Sequence, residues 1–149
     1  IRTQTPSHTF PQIIPQLIGE TEAWLRERNI KPTGAPFMRY HVINMEADKN
    51  MDVEIGFPVA NAVSGDGRVS AGVFPAGRYG SLIYTDVTKG IEGNSVLIGW
   101  AKNQGIEWDA WDAENGHAFA SRVEFFLDGP DDDPDPTTWR TEVAIMIAD

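Results

Sequence analysis

Two stretches of this chain are laid out twice, in the same order and with the same kinds of element between them, and any fold must accommodate that duplication. Trp24-Leu25-Arg26-Glu27-Arg28-Asn29-Ile30 lies over Trp100-Ala101-Lys102-Asn103-Gln104-Gly105-Ile106. Each copy opens on tryptophan and closes on isoleucine, with Asn29 or Gly105 just before the close, the two residue types that most readily take the left-handed conformation ending a helix. Farther on, Met51-Asp52-Val53-Glu54-Ile55-Gly56-Phe57-Pro58-Val59 lies over Trp139-Arg140-Thr141-Glu142-Val143-Ala144-Ile145-Met146-Ile147, with a glutamate fourth in each.

The elements between these windows follow from periodicity. Apolar residues at Ile14, Leu17, Ile18, Thr21, Trp24 and Leu25 give an amphipathic helix over Ile13 to Ile30, with Pro11 and Pro15 tolerated in its first turn. Extended runs follow at Phe37 to Met45 and Met51 to Val59, joined by the polar Glu46-Ala47-Asp48-Lys49-Asn50. After Ser64-Gly65-Asp66-Gly67 the pattern restarts with a strand at Arg68 to Phe74, a helix from Thr88 to Gln104, and strands at Ala118 to Leu127 and Trp139 to Ile147. The expectation is an α+β domain spanning 1–149, built from two pseudo-symmetric strand-helix-strand-strand repeats of about 1–63 and 64–149, with antiparallel sheets forming a central cleft and helices on the outer face.

Side chains alternate along a strand, so Val53, Ile55, Phe57 and Val59 share one face, as do Thr141, Val143, Ile145 and Ile147. These apolar faces are expected under the helices. The opposite faces then carry Glu54 and Glu142 with Met146, and Glu124 is expected on the same face as Glu142. Charged residues on a solvated sheet face are common, but an enclosed carboxylate must be paired, hydrogen-bonded or protonated. Trp24, Trp100 and Phe57 read as core, whereas Trp108 and Trp111 sit in the polar run Glu107 to Asp112, where a flat ring can stack on a ligand for ~0.5–2 kcal/mol per contact.

Other chemistries find little support. The formal charge of −10 repels phosphate backbones, so direct nucleic-acid contact is not expected. There is no cysteine for disulfide or thiolate chemistry, and no apolar run of spanning length. The cytoplasm is the default location, with no membrane partner, and a start at Ile1 rather than Met leaves room for a segment upstream. His8, His41 and His117 lack metal-ligand spacing, and Asp131-Asp132-Asp133-Pro134-Asp135 lacks the glycine and distal glutamate of a calcium loop, so neither a metal nor a cofactor is expected. No Gly-x-Ser-x-Gly elbow or phosphate loop occurs.

Several phrases taken in order carry a resemblance: Glu54-Ile55-Gly56-Phe57-Pro58-Val59, Gly65-Asp66-Gly67-Arg68-Val69, Pro75-Ala76-Gly77-Arg78-Tyr79, Trp100 to Gly105, Glu124-Phe125-Phe126-Leu127-Asp128-Gly129-Pro130 and Trp139 to Val143. Together they resemble the GyrI-like small-molecule-binding family, which shares its fold with the effector-binding domains of MerR- and AraC-type multidrug regulators. The resemblance implies a cleft for hydrophobic, often cationic or aromatic compounds, met by glutamates and aromatics. Strand parity, the aromatic loop and the resemblance together suggest Tyr40, Glu54, Trp108, Trp111, Glu124, Phe126, Glu142 and Met146 as ligand-binding residues. Where many relatives have His-x-Gly-Pro-Tyr, this chain has Tyr84-Thr85-Asp86-Val87-Thr88, and Phe126 replaces a frequent tyrosine.

The leading functional expectation is a stand-alone module that binds or sequesters a small hydrophobic or cationic molecule, as a monomer or weak homodimer. A hydrolase of strained or electrophilic compounds, with Glu142 and Glu54 as its catalytic carboxylates, ranks second. A protein-interaction inhibitor or protector domain ranks third.

Overall fold

A computed structural model describes residues 1–149. Its elements are β1 (Arg2–Pro6), α1 (Phe10–Glu27), β2 (Phe37–Ile43), β3 (Asn50–Gly56), β4 (Tyr79–Thr85), α2 (Gly90–Asn103), β5 (Ala110–Ala113), β6 (Gly116–Phe119), β7 (Arg122–Phe126) and β8 (Arg140–Met146). The strands form one antiparallel sheet in the order β1-β3-β2-β7-β8-β4, with the β5–β6 hairpin attached beside β2. Element order is thus β1-α1-β2-β3 and then β4-α2-β7-β8, the expected strand-helix-strand-strand sequence met twice in one α+β sheet.

The duplication read from sequence fixes helix packing in detail. Leu17, Thr21 and Leu25 are the buried residues of α1, and Gly93, Leu97 and Ala101 those of α2, in the same residue-for-residue offset that lays Trp24 over Trp100. Both helices end alike: the Ile30 amide donates to the Leu25 carbonyl at 3.0 Å and the Ile106 amide to the Ala101 carbonyl at 2.9 Å. Asn29 and Gly105 take positive φ, 56° and 68°, so that the chain can turn back and satisfy those last carbonyls.

Each helix covers its own half of one sheet face. Leu17 packs with Ile1, Met38, Met51, Val53 and Ile55, and Leu97 with Phe119, Val143 and Ile145, the faces that alternation assigns to the core. Between the halves, β2 and β7 pair as Phe37 with Phe125, Met38 with Glu124 and Arg39 with Val123, so the pseudo-twofold axis passes between Met38 and Glu124. Partners across β2–β3 and β7–β8 agree, with Met38 opposite Ile55 and Glu124 opposite Val143. In this symmetry Ile55 corresponds to Val143, Tyr40 to Phe126, and Met38 to Glu124.

Four expectations are corrected. The strand expected at Arg68 to Phe74 is not one: the first strand of the second half is β4, and the chain before it crosses the helix-free face, where Phe74 packs edge-on to Phe37 and Phe125 at 4.9 and 6.0 Å. Gly72 and the small residues around it break the alternation there, whereas Tyr79 to Thr85 carries β-formers without a charge. The expected single strand Ala118 to Leu127 is split into β6 and β7 opposite a register shift in β2 between Tyr40 and Val42. Pro15 lies inside α1 rather than in its first turn; the bond its missing N–H forgoes is to Pro11, near the exposed end of the helix, where the loss is tolerated. Trp100, read as core, is 45% exposed on α2.

Candidate functional site

α1 packs over β3 and α2 over β4, so the central strands β2 and β7 lie as a floor between the two helices, in the position expected for the cleft. At the middle of that floor stands Glu124, in the place that Met38, only 1% exposed, occupies in the first half. Its carboxylate accepts from the Tyr40 hydroxyl and from Asn94 Nδ2 of α2, both at 3.3 Å, and no basic side chain lies within ion-pair distance. Desolvation pushes the Glu124 carboxyl above its ordinary 4.5, against the pull of Asn94, Arg122 and Tyr40 toward ionisation.

The aromatic surroundings come from both halves. Tyr40 is half-buried, with its hydroxyl end densely surrounded, and burial beside the Glu124 charge drives its pKa well up. Phe10 at the start of α1 tilts against Tyr40, centroids 6.4 Å apart, and Phe126 packs against the first core cluster on the same face. Tyr84, on β4, occupies room that exists because α2 has Gly93 where α1 has Leu17: a Cβ at Gly93 would come within 2.7 Å of the Tyr84 ring. Burial, then the nearby Glu124 charge, push the Tyr84 phenol up to about 12.

Asn94 connects the polar groups. Its Oδ1 accepts from Arg122 Nη2 at 2.7 Å, while its Nδ2 donates to the Gly90 carbonyl at 2.8 Å as well as to Glu124. These three partners fix the amide orientation, since a flip would set oxygen against two acceptors. Ile91 and Ile98 share the Asn94 flank of α2 and are 78% and 41% exposed along the rim.

The suggested site residues are divided by the sheet. Tyr40, Glu124 and Phe126 share the helix-bearing face, with Tyr40 hydrogen-bonded to Glu124 and Phe126 packed against the first core cluster. Glu54, Glu142 and Met146 lie on the opposite face, so the expectation that Glu124 shares a face with Glu142 is corrected: Glu142 pairs with Phe125, and Glu124 with Val143. Glu54 is hydrogen-bonded to His41 at 3.3 Å, and that partner holds its carboxyl below the usual range. Met146 packs its methyl group over Gly77. Trp108, expected in an open loop, packs on the second core cluster and over Gly80; Trp111 lies on β5 and is 52% exposed. A surface depression of about 590 Å³ lies elsewhere, among polar residues such as Gln4, Asn44, Glu46 and Glu114, and it has no aromatic wall.

A family model described as the GyrI-like small molecule binding domain matches residues 1–148. The chain belongs to that family. This GyrI-like domain is also similar in fold to a chain in the cryo-EM structure of the EcmrR–DNA complex in EcmrR-RPo, with a TM-score of 0.74 and 20% identity. The match covers 98% of this chain and 51% of that one, so the domain spans about half the length of its structural neighbour. A search of curated proteins found no match. No helix of the GyrI-like domain is long and apolar enough to cross a membrane.

Asn94 was not singled out from sequence, yet the duplication contains the signal. In the helix overlay it falls on Ile18, which packs against the first core cluster, just as Glu124 falls on Met38. Both central polar groups of the cleft replace apolar residues of the first half.

Proposed function

We propose that this domain binds a flat, hydrophobic organic cation in the cleft between α1 and α2, with Glu124 as the counter-charge and Tyr40, Tyr84 and Phe126 as its aromatic surroundings. The observation that carries this reading is a half-buried carboxylate at a core position with no cationic partner of its own. Such a group costs stability unless it has a use, and a desolvated cation over aromatic rings supplies its missing partner. Glu54 and Glu142, on the other face, have no part in the reading.

Calorimetric titration with N-methylquinolinium and with neutral methylquinoline tests it. The cation should bind more tightly to the wild type, and Glu124→Gln should remove about tenfold of that affinity, the worth of one charge-assisted interaction, while leaving the neutral compound unchanged. Equal affinity for both compounds, or indifference of the cation to the substitution, would refute the assignment.

A further inference from the structure

The cleft holds a second unmatched charge. Arg2, Arg26, Arg28, Arg68 and Arg140 each lie against a carboxylate, whereas Arg39, Arg78 and Arg122 have none within 4.0 Å, and of these three Arg122 is the one on β7 beside Glu124. Its one hydrogen bond is from Nη2 to Asn94 Oδ1, at 2.7 Å, although a guanidinium carries five N–H donors. The group stacks over the Phe119 ring at 4.8 Å, and it projects from β7 on the same face as Glu124, two residues away.

Glu124 and Arg122 would be expected to neutralise each other at that spacing. They form no direct ion pair: the Asn94 amide bridges them, donating to the carboxylate with one end and accepting from the guanidinium with the other, so each charge feels its partner only at a distance. The backbone carbonyl of Gly90 holds the amide in place. The result is a fixed pair of opposite charges, side by side on an aromatic floor, each with bonding capacity left over.

We infer that the preferred ligand is amphoteric: an aromatic molecule carrying a cationic nitrogen for Glu124 and, a few bonds away, a carboxylate or comparable acceptor for Arg122. This rests on the reading of the cleft as a cation site and narrows it. A purely cationic ligand leaves the guanidinium desolvated beside it, and a purely anionic one leaves the carboxylate so, whereas an amphoteric ligand satisfies both.

Three probes that share one ring system separate the terms by calorimetry near neutral pH: 2-naphthylalanine, 2-naphthylethylamine and 3-(2-naphthyl)propanoate. The amino acid should bind about tenfold more tightly than the amine, the propanoate most weakly, and Arg122→Gln should erase that margin by weakening the amino acid while the amine, relieved of a desolvated positive charge beside it, binds as tightly or more tightly. Arg122→Lys, which keeps the charge, should restore part of the margin, and thermal unfolding of both variants reports whether the fold is kept. An amine that binds as well as the amino acid, or an Arg122→Gln variant that weakens both equally, overturns the amphoteric assignment. If the amine still depends on Glu124 in that case, the cation site itself stands. Amine binding untouched by Glu124→Gln, or no binding of any probe at about 10 mM, brings down the cleft reading and this inference with it.

Discussion

Replacing Glu124 with methionine installs in the second half the residue that its symmetry mate, Met38, already provides in the first. Methionine has nearly the volume of glutamate and no charge to desolvate. Exchanging a buried ion pair for apolar residues of like size is neutral or gains up to about 1–4 kcal/mol, and a carboxylate with no ion-pair partner has no Coulombic attraction to lose in the exchange. Glu124 is only half-buried and keeps two long hydrogen bonds of 3.3 Å, which places Glu124→Met in the lower part of that range, about 1–2 kcal/mol, or about 3–6 °C in Tm for a chain of this size. The pH dependence supplies a sharper check. The folded-state pKa of Glu124 is raised by burial, so between its ordinary value and the raised one the folded state binds more protons than the unfolded state, and wild-type stability falls as pH rises through that window. Above the window the full penalty of the ionised carboxylate is present, and below about 4.5 it is relieved. The advantage of Glu124→Met in urea unfolding should therefore be greatest near neutrality and shrink as pH falls toward 4.5. Asp52 and Glu54, whose folded pKa values are depressed, lose stabilising charge in acid, but they do so in both proteins and cancel in the difference. A variant less stable than wild type at neutral pH, or an advantage that does not vary with pH, would refute the reasoning.

Two further outcomes follow from the helices. At the matched helix ends, Gly105→Ala should cost about 1 kcal/mol because φ is 68° there, and Asn29→Gly, at φ 56°, should gain a few tenths to about 1 kcal/mol; paired urea titrations read both, and equal signs would count against the shared cap. Gly93→Ala should drive Cβ into the Tyr84 ring, 2.7 Å from Cδ1, for a net loss of about 1–2 kcal/mol after the gain in helix propensity, together with a displaced Tyr84 ring signal by NMR; an unperturbed ring would contradict the packing described here.

Much of the fold could be read from the chain because the duplication constrained it twice over. The helix ends at Asn29 and Gly105 and the core faces of β3 and β8 needed only local periodicity and the overlay of two windows. β1 was missed because Arg2-Thr3-Gln4-Thr5-Pro6 is a polar edge strand whose inward residues are threonines. The β5–β6 hairpin was missed because Trp108 and Trp111 stand among acidic residues, and only the contact of Trp108 with Gly80 shows which ring is packed. The cleft was half legible. Tyr40, Glu124 and Phe126 were singled out, but alternation says only which residues of one strand share a face; which face of β7 matches which face of β8 depends on register, a nonlocal quantity. Extending the overlay to β2 and β7 would have set Glu124 on Met38 and shown a carboxylate on a core position.

A floor laid across a pseudo-twofold axis offers a flat guest two nearly equivalent poses, turned end for end. With methionine on both sides of the axis, shape alone would hardly choose between them, and a guest would tumble. Under the proposed reading, the offset of one carboxylate from that axis would make the poses unequal, and a bound molecule would have a defined head and tail, with one end toward α1 and the other toward α2.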